Sequence, residues 1–250
     1  MKKIIYCLVK IFNKIDEVHA DSFLNSGEMY CRALKKFKEI EDNETRGDRY
    51  EGLTHWIQPK DAIITLKLEK SIEGVPNEII IKENDLAAPT VIQSTEYDFH
   101  NVYCMYAIAI DDFKFEYSTE EERLALQKEI NNKLSKQIEI DNKVSSELGN
   151  VAIVITNVKE FIGRVKEYSD ENVHHGFVEY FEEKSQTALF AGMNAIFKKR
   201  SIYAYQNEYR FVFVPKENLD CRIFSIGNLE DIAYKTTIDE LQNSINVTIQ

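Results

Sequence analysis

From Val102 to Ile110 the chain reads Val-Tyr-Cys-Met-Tyr-Ala-Ile-Ala-Ile without a polar residue. Successive side chains of a strand point to opposite faces, so a strand that is apolar on both faces has to be covered from both sides. Residues 101–110 are therefore predicted to form a central strand. The rest of the chain must supply neighbours for its edges and layers for its faces.

Candidate neighbours are numerous. Residues 4–12 are predicted as a strand, Lys14 to Leu24 as a helix stopped by Asn25-Ser26-Gly27, and Met29 to Leu34 as a short strand before a short helix over 37–41. Further strands are predicted over 62–68, 78–82, 151–156, 175–181, 221–226 and 245–249, with helices over 158–168 and 186–197. Ser118-Thr119-Glu120-Glu121 has capping-box spacing with Ser118 as N-cap, opening a helix to about residue 147. Leu126, Ile130, Leu134 and Ile138 give that helix one narrow apolar stripe, for the sheet or for a partner helix. The fold class that follows is α+β: a mixed, largely antiparallel sheet or sheets with one long covering helix. No break in composition divides the 250 residues, so a single domain over 1–250 is expected.

Composition narrows the function classes. The formal net charge of −11 repels a phosphate backbone, which makes general nucleic-acid binding an unfavourable expectation outside the small basic run Lys198-Lys199-Arg200. No stretch is long and apolar enough to span a membrane, and Lys10 and Lys14 interrupt the apolar N-terminal run before a signal peptide could be completed. Cys7, Cys31, Cys104 and Cys221 are far apart in apolar contexts, with neither zinc spacing nor a disulfide framework. They are expected to be buried free thiols in a cytoplasmic protein. The five histidines show no metal pattern, and His174 and His175 would face opposite ways on a strand.

Two segments carry candidate chemistry. Residues 199–215 read as one long strand, with Tyr203, Tyr205, Tyr209, Phe211 and Phe213 on one face and Gln206, Glu208 and Arg210 on the other. Such a polar row either pairs with neighbouring strands or faces a substrate. Arg46-Gly47-Asp48-Arg49-Tyr50-Glu51-Gly52 is turn chemistry and leads directly to His55 and Trp56. It is a solvated turn or a site loop, with Arg46, Asp48 and Glu51 as its candidate contacts. The loop offers too few oxygens for a Mg²⁺ or Ca²⁺ site, so no metal is expected. Arg32, beside an aromatic on a short strand, is a candidate anion contact or the partner of an acid such as Glu28.

Phe23-Leu24-Asn25-Ser26-Gly27 leading to Gly47-Asp48-Arg49-Tyr50-Glu51-Gly52, together with Lys198-Lys199 leading to Tyr203-Ala204-Tyr205-Gln206-Asn207-Glu208-Tyr209-Arg210, resembles an uncharacterised bacterial and prophage family, some members of which sit near phage-defence genes. Separately, Gln206-x-Glu208 after an aromatic is similar to the Gln-x-Glu element of ADP-ribosyltransferases, and Arg32, Ser94-Thr95 and Glu208 follow that family's arginine, serine, glutamate order. The resemblance implies NAD as substrate, in a toxin or phage-defence effector. Arg32 would hold the diphosphate, Ser94 would support the pocket with Tyr205, Glu208 would bind ribose and stabilise the oxocarbenium, and Gln206 would orient the acceptor, with Arg210 beside them. A forked cation suits diphosphate and a carboxylate suits developing positive charge. Glu96 stands where that family carries a second serine, and the glycine-rich cofactor turn is missing. The alternative is a non-catalytic phage- or defence-associated module that engages a protein partner, with Gln206, Glu208 and Arg210 holding the fold. A nuclease using Asp48, Glu51 and Glu208 around a metal is a third reading, opposed by the acidic balance.

Overall fold

The computed structural model describes residues 3–40, 47–67, 77–111, 116–138, 149–169, 172–244 and 247–249. Its strands are β1 (Lys3–Phe12), β2 (Glu28–Ala33), β3 (Leu53–Ile57), β4 (Ile64–Lys67), β5 (Glu78–Ile81), β6 (Thr90–Gln93), β7 (Asn101–Asp111), β8 (Val151–Ile155), β9 (Val173–Phe177), β10 (Glu179–Phe181), β11 (Ala188–Leu189), β12 (Lys198–Arg200), β13 (Glu208–Phe213), β14 (Cys221–Ser225) and β15 (Ala233–Thr237). The helices are α1 (Glu17–Ser26), α2 (Leu34–Lys38), α3 (Glu120–Ile138), α4 (Val158–Tyr168) and α5 (Ile238–Ser244). The fold is α+β, and its sheets are antiparallel apart from the parallel pair β10–β12.

β7 is central, as its two apolar faces require. One edge pairs with β13, and the other pairs with β1 along its C-terminal half and with β2 at Asn101 and Val102. The eight-stranded sheet therefore branches, with β8 and β15 beyond β1, β14 beyond β2 and β9 beyond β13. Between β1 and β2 the Cys104 carbonyl accepts from Lys10 Nζ at 2.9 Å, so a side chain supplies the donor that no strand provides there. Burial lowers the pKa of that lysine.

One face of the sheet carries Leu8, Met29, Cys31, Tyr103, Met105, Phe211 and Phe213 against Ala20 and Phe23 of α1 and Phe161 and Val165 of α4. On the other face, Cys7, Val9, Tyr106, Ile108 and Ile110 pack on Ile130 and Leu134 of α3 and Ile238 and Leu241 of α5. The α3 stripe thus covers the sheet. The predicted continuation of that helix to 147 and the side chain of Ile138 lie outside the described residues. The cap sits one residue later than the spacing suggested: Glu122 N–H donates to Thr119 Oγ1 at 3.2 Å, while the Glu122 carboxylate accepts from the Ser118 and Thr119 N–H groups. Both residues fit the motif, and the reciprocal bonds select Thr119.

Other differences have local causes. The expected strand over 199–215 is interrupted: 201–206 forms a 3-10 helix that ends on Asn207 at φ 37, a left-handed conformation that asparagine tolerates. Residues 186–197 are not a helix but β11 followed by a 3-10 helix over Gly192–Phe197. Residues 247–249 belong to no strand, whereas β15 and α5 form just before them. Cys221 is exposed, because β14 is an edge strand whose alternate side chains face outward; Cys7 and Cys31 are buried, Cys104 half-buried, and all four are free.

Candidate functional site

β13 is buried along its whole length. Tyr209, Phe211 and Phe213 enter the first core, which sends Glu208 and Arg210 to the opposite face among apolar neighbours. Two charges placed there must be compensated. Arg210 Nε donates to Glu208 Oε1 at 2.6 Å, and its two terminal nitrogens grip Glu51 bidentately at 2.9 Å each. The Ile196 carbonyl accepts a further bond from Arg210 at 2.5 Å. Lys199 Nζ donates to Glu208 Oε2 at 2.8 Å and Gln206 Oε1 at 2.9 Å, and lies 3.3 Å from Glu51 Oε1. Two carboxylates therefore meet two cations. Exposure is 1% for Glu51 and Arg210, 5% for Glu208 and 8% for Lys199.

The partners arrive from different elements. Glu51 closes a turn in which Tyr50 N–H donates to Asp48 Oδ1 and Glu51 N–H to the Asp48 carbonyl. Gly52 ends the turn at φ 66, and a Cβ there would sit 2.9 Å from the Leu34 side chain. Lys199 is carried by β12 opposite Tyr180 of β10, whose hydroxyl accepts from the Glu208 N–H at 3.0 Å. Beside the quartet, Asp48 pairs with Arg200 at 3.3 Å, and that guanidinium lies over the Tyr50 and Tyr203 rings.

Electrostatics follow from this packing. Burial pushes the Glu208 carboxyl up, but Arg210 and Lys199 outweigh it and hold the group well below the usual carboxylate range. Burial pushes Lys199 down, and Glu208 and Glu51 more than restore its charge. The Cys104 thiol, hydrogen-bonded to Glu208, is pushed up to about 12, chiefly by burial and then by that carboxylate. Asp48 is raised by burial and by Glu51. The quartet is thus a closed set of opposite charges in contact, with each Glu208 oxygen already accepting from a cation.

Of the residues predicted from sequence, Glu208, Gln206, Arg210, Glu51 and Asp48 converge. Arg32 does not join them. It is exposed on β2 opposite Cys221 and Val102, on the same sheet face as Glu208, whose register partner on β7 is Tyr106. Four residues of β7 separate those rows, roughly 13 Å. Leu34, Tyr97, Ala195 and Ile196 pack over Val102 and Val212 in between. Ser94 lies after β6, where its Oγ accepts from the Glu96 N–H in a local turn. Tyr205 packs with the α3 cluster. Arg46 lies outside the described residues.

Lys199, Arg200, Tyr180 and Cys104 were missed as members of the site. The basic run over 198–200 was the available signal, because a glutamate within an apolar strand requires a cation and these lie nearest upstream. Among the described residues no group of three or more His, Cys, Asp or Glu side chains is placed to hold a metal, and no helix is long and apolar enough to cross a membrane. The chain matches no family model, no curated protein and no solved structure.

Proposed function

We propose that the Glu51–Lys199–Glu208–Arg210 quartet is a structural lock and that the protein acts as a non-catalytic interaction module. The observation that carries this reading is the occupancy of both Glu208 oxygens, by Arg210 and Lys199, with Glu208 itself only 5% exposed. A carboxylate that stabilises an oxocarbenium has to present an oxygen to the sugar, and here that would require breaking a buried ion pair. The phage- or defence-associated setting rests on the sequence resemblance.

ADP-ribosyl transfer is the second reading, favoured by one contact: Lys199 holds Gln206 and Glu208 together, which keeps the Gln-x-Glu pair convergent. A single experiment separates the two. Purified protein is supplied with NAD and cell extract as acceptor, and nicotinamide release is measured alongside the melting of Glu208→Gln. The lock predicts no release and a large loss of stability. Release that Glu208→Gln abolishes in a fully folded protein overturns it and restores the transferase.

A further inference from the structure

β4 and β5 form a two-stranded antiparallel arm, in register from Ile64 opposite Ile81 to Lys67 opposite Glu78. Such a ribbon is marginal without something packed on it. Its apolar side chains are nevertheless open: Ile80 is 50% exposed, Leu66 47% and Ile79 38%. The register places Ile64, Leu66, Ile79 and Ile81 on one face, an aliphatic surface with no polar member. Among the described residues β5 pairs with β4 alone, so its outer edge is unpaired. That edge lacks proline and a bulge, two of the protections against further pairing.

The sequence of this edge identifies its occupant. β5 continues in extended conformation through Lys82, at φ −124 and ψ −178, and reads Glu78-Ile79-Ile80-Ile81-Lys82. The segment is complementary to itself when reversed. Two copies laid antiparallel about a two-fold axis through Ile80 oppose Glu78 to Lys82 at both ends, Ile79 to Ile81 twice, and Ile80 to Ile80. β4 lacks this property, since its Lys67 would oppose Ile63 in the same operation.

We propose that the β4–β5 arm is a self-association element, in which β5 pairs with β5 of a second copy to make a four-stranded sheet across a two-fold axis. Its closed, isologous geometry limits the assembly to a dimer. The joined face carries Ile64, Leu66, Ile79 and Ile81 from each copy side by side, and Glu78–Lys82 pairs set the register. The proposal rests on the interaction reading above and names its partner, but it is read out by mass in solution, independently of NAD turnover.

The test is sedimentation equilibrium on the intact chain with two charge variants. The wild type is expected to be dimeric. Lys82→Glu and Glu78→Lys each place like charges in opposition and are expected to be monomers with the circular dichroism of the wild type; Glu78→Lys also faces Lys67 within the arm, so it is combined with Lys67→Glu to keep that pair. An equimolar mixture of the two restores both opposite-charge pairs and is expected to dimerise. A wild type that stays monomeric over the accessible concentration range, single variants as dimeric as the wild type, or a mixture that remains monomeric overturns the proposal. Ile80→Asp supplies a second check: it is expected to abolish dimerisation without altering the circular dichroism of the sheet.

Discussion

Glu208 shows how a buried charge takes its role from its partners. The Coulombic attraction of Lys199 and Arg210 exceeds the desolvation of the carboxyl, so removing its charge leaves two cations with one remaining carboxylate, Glu51. Glu208→Gln should cost about 3–5 kcal/mol in denaturant unfolding. Adding Lys199→Met to it leaves Arg210 and Glu51 as a neutral pair, so the double variant should lose less than the sum of the two single losses. The pH dependence has a definite sign. Because the folded pKa of Glu208 is depressed, its contribution is present above the unfolded value of about 4.3 and is lost as pH falls further toward the folded pKa. Lys199, whose folded pKa is raised, contributes below about 10.4, and that contribution is lost at higher pH. Wild-type stability should therefore fall more steeply below pH ~4.3 than that of Glu208→Gln, as measured by unfolding at a series of pH values.

Elements were legible where a single period or cap governs them. β7, β8, α1 and α4 follow directly from apolar runs and spacing, and the stripe of α3 reached the sheet as expected because its flanks are charged. Ile130→Ala should cost about 2–5 kcal/mol, and Thr119→Ala about 1 kcal/mol, in thermal or denaturant unfolding. Ser118→Ala should change little, since it is the Ser118 backbone that bonds to Glu122. The aromatic run before β13 misled because the Tyr203 and Tyr205 spacing satisfies period two by chance across a 3-10 turn. What ends that turn is Asn207, whose left-handed backbone is a single-residue event invisible to periodicity. β3 and β6 are short strands paired with each other, and β11 adds a two-residue edge. Their existence depends on partners distant in sequence. The candidate site was half legible for the same reason: the acids could be seen, but the cations that answer them come from a separate strand.

At the scale of the molecule, the branched sheet decides which side chains stay in reach of solvent. Edge strand β14 leaves Cys221 exposed, whereas Cys7 and Cys31 are in the core. A native thiol titration should label Cys221 rapidly and leave Cys7 and Cys31 unreactive until unfolding, and fast labelling of all four would show that the cores are open. The branching also has a consequence in time. β7 receives β1 and β2 from earlier in the chain, but its opposite edge stays bare until residues 208–213 arrive, and the bidentate grip joins Glu51 and Arg210 across 159 positions. Synthesis delivers the N-terminal part first. For most of that interval the nascent chain exposes its most apolar strand along one edge and keeps Glu51 hydrated, without the cation that later allows its burial. Completion of the β7 edge is thus deferred until residues 208–213 have been synthesised, and until then the growing polypeptide carries an unpaired strand edge of the kind that templates further pairing.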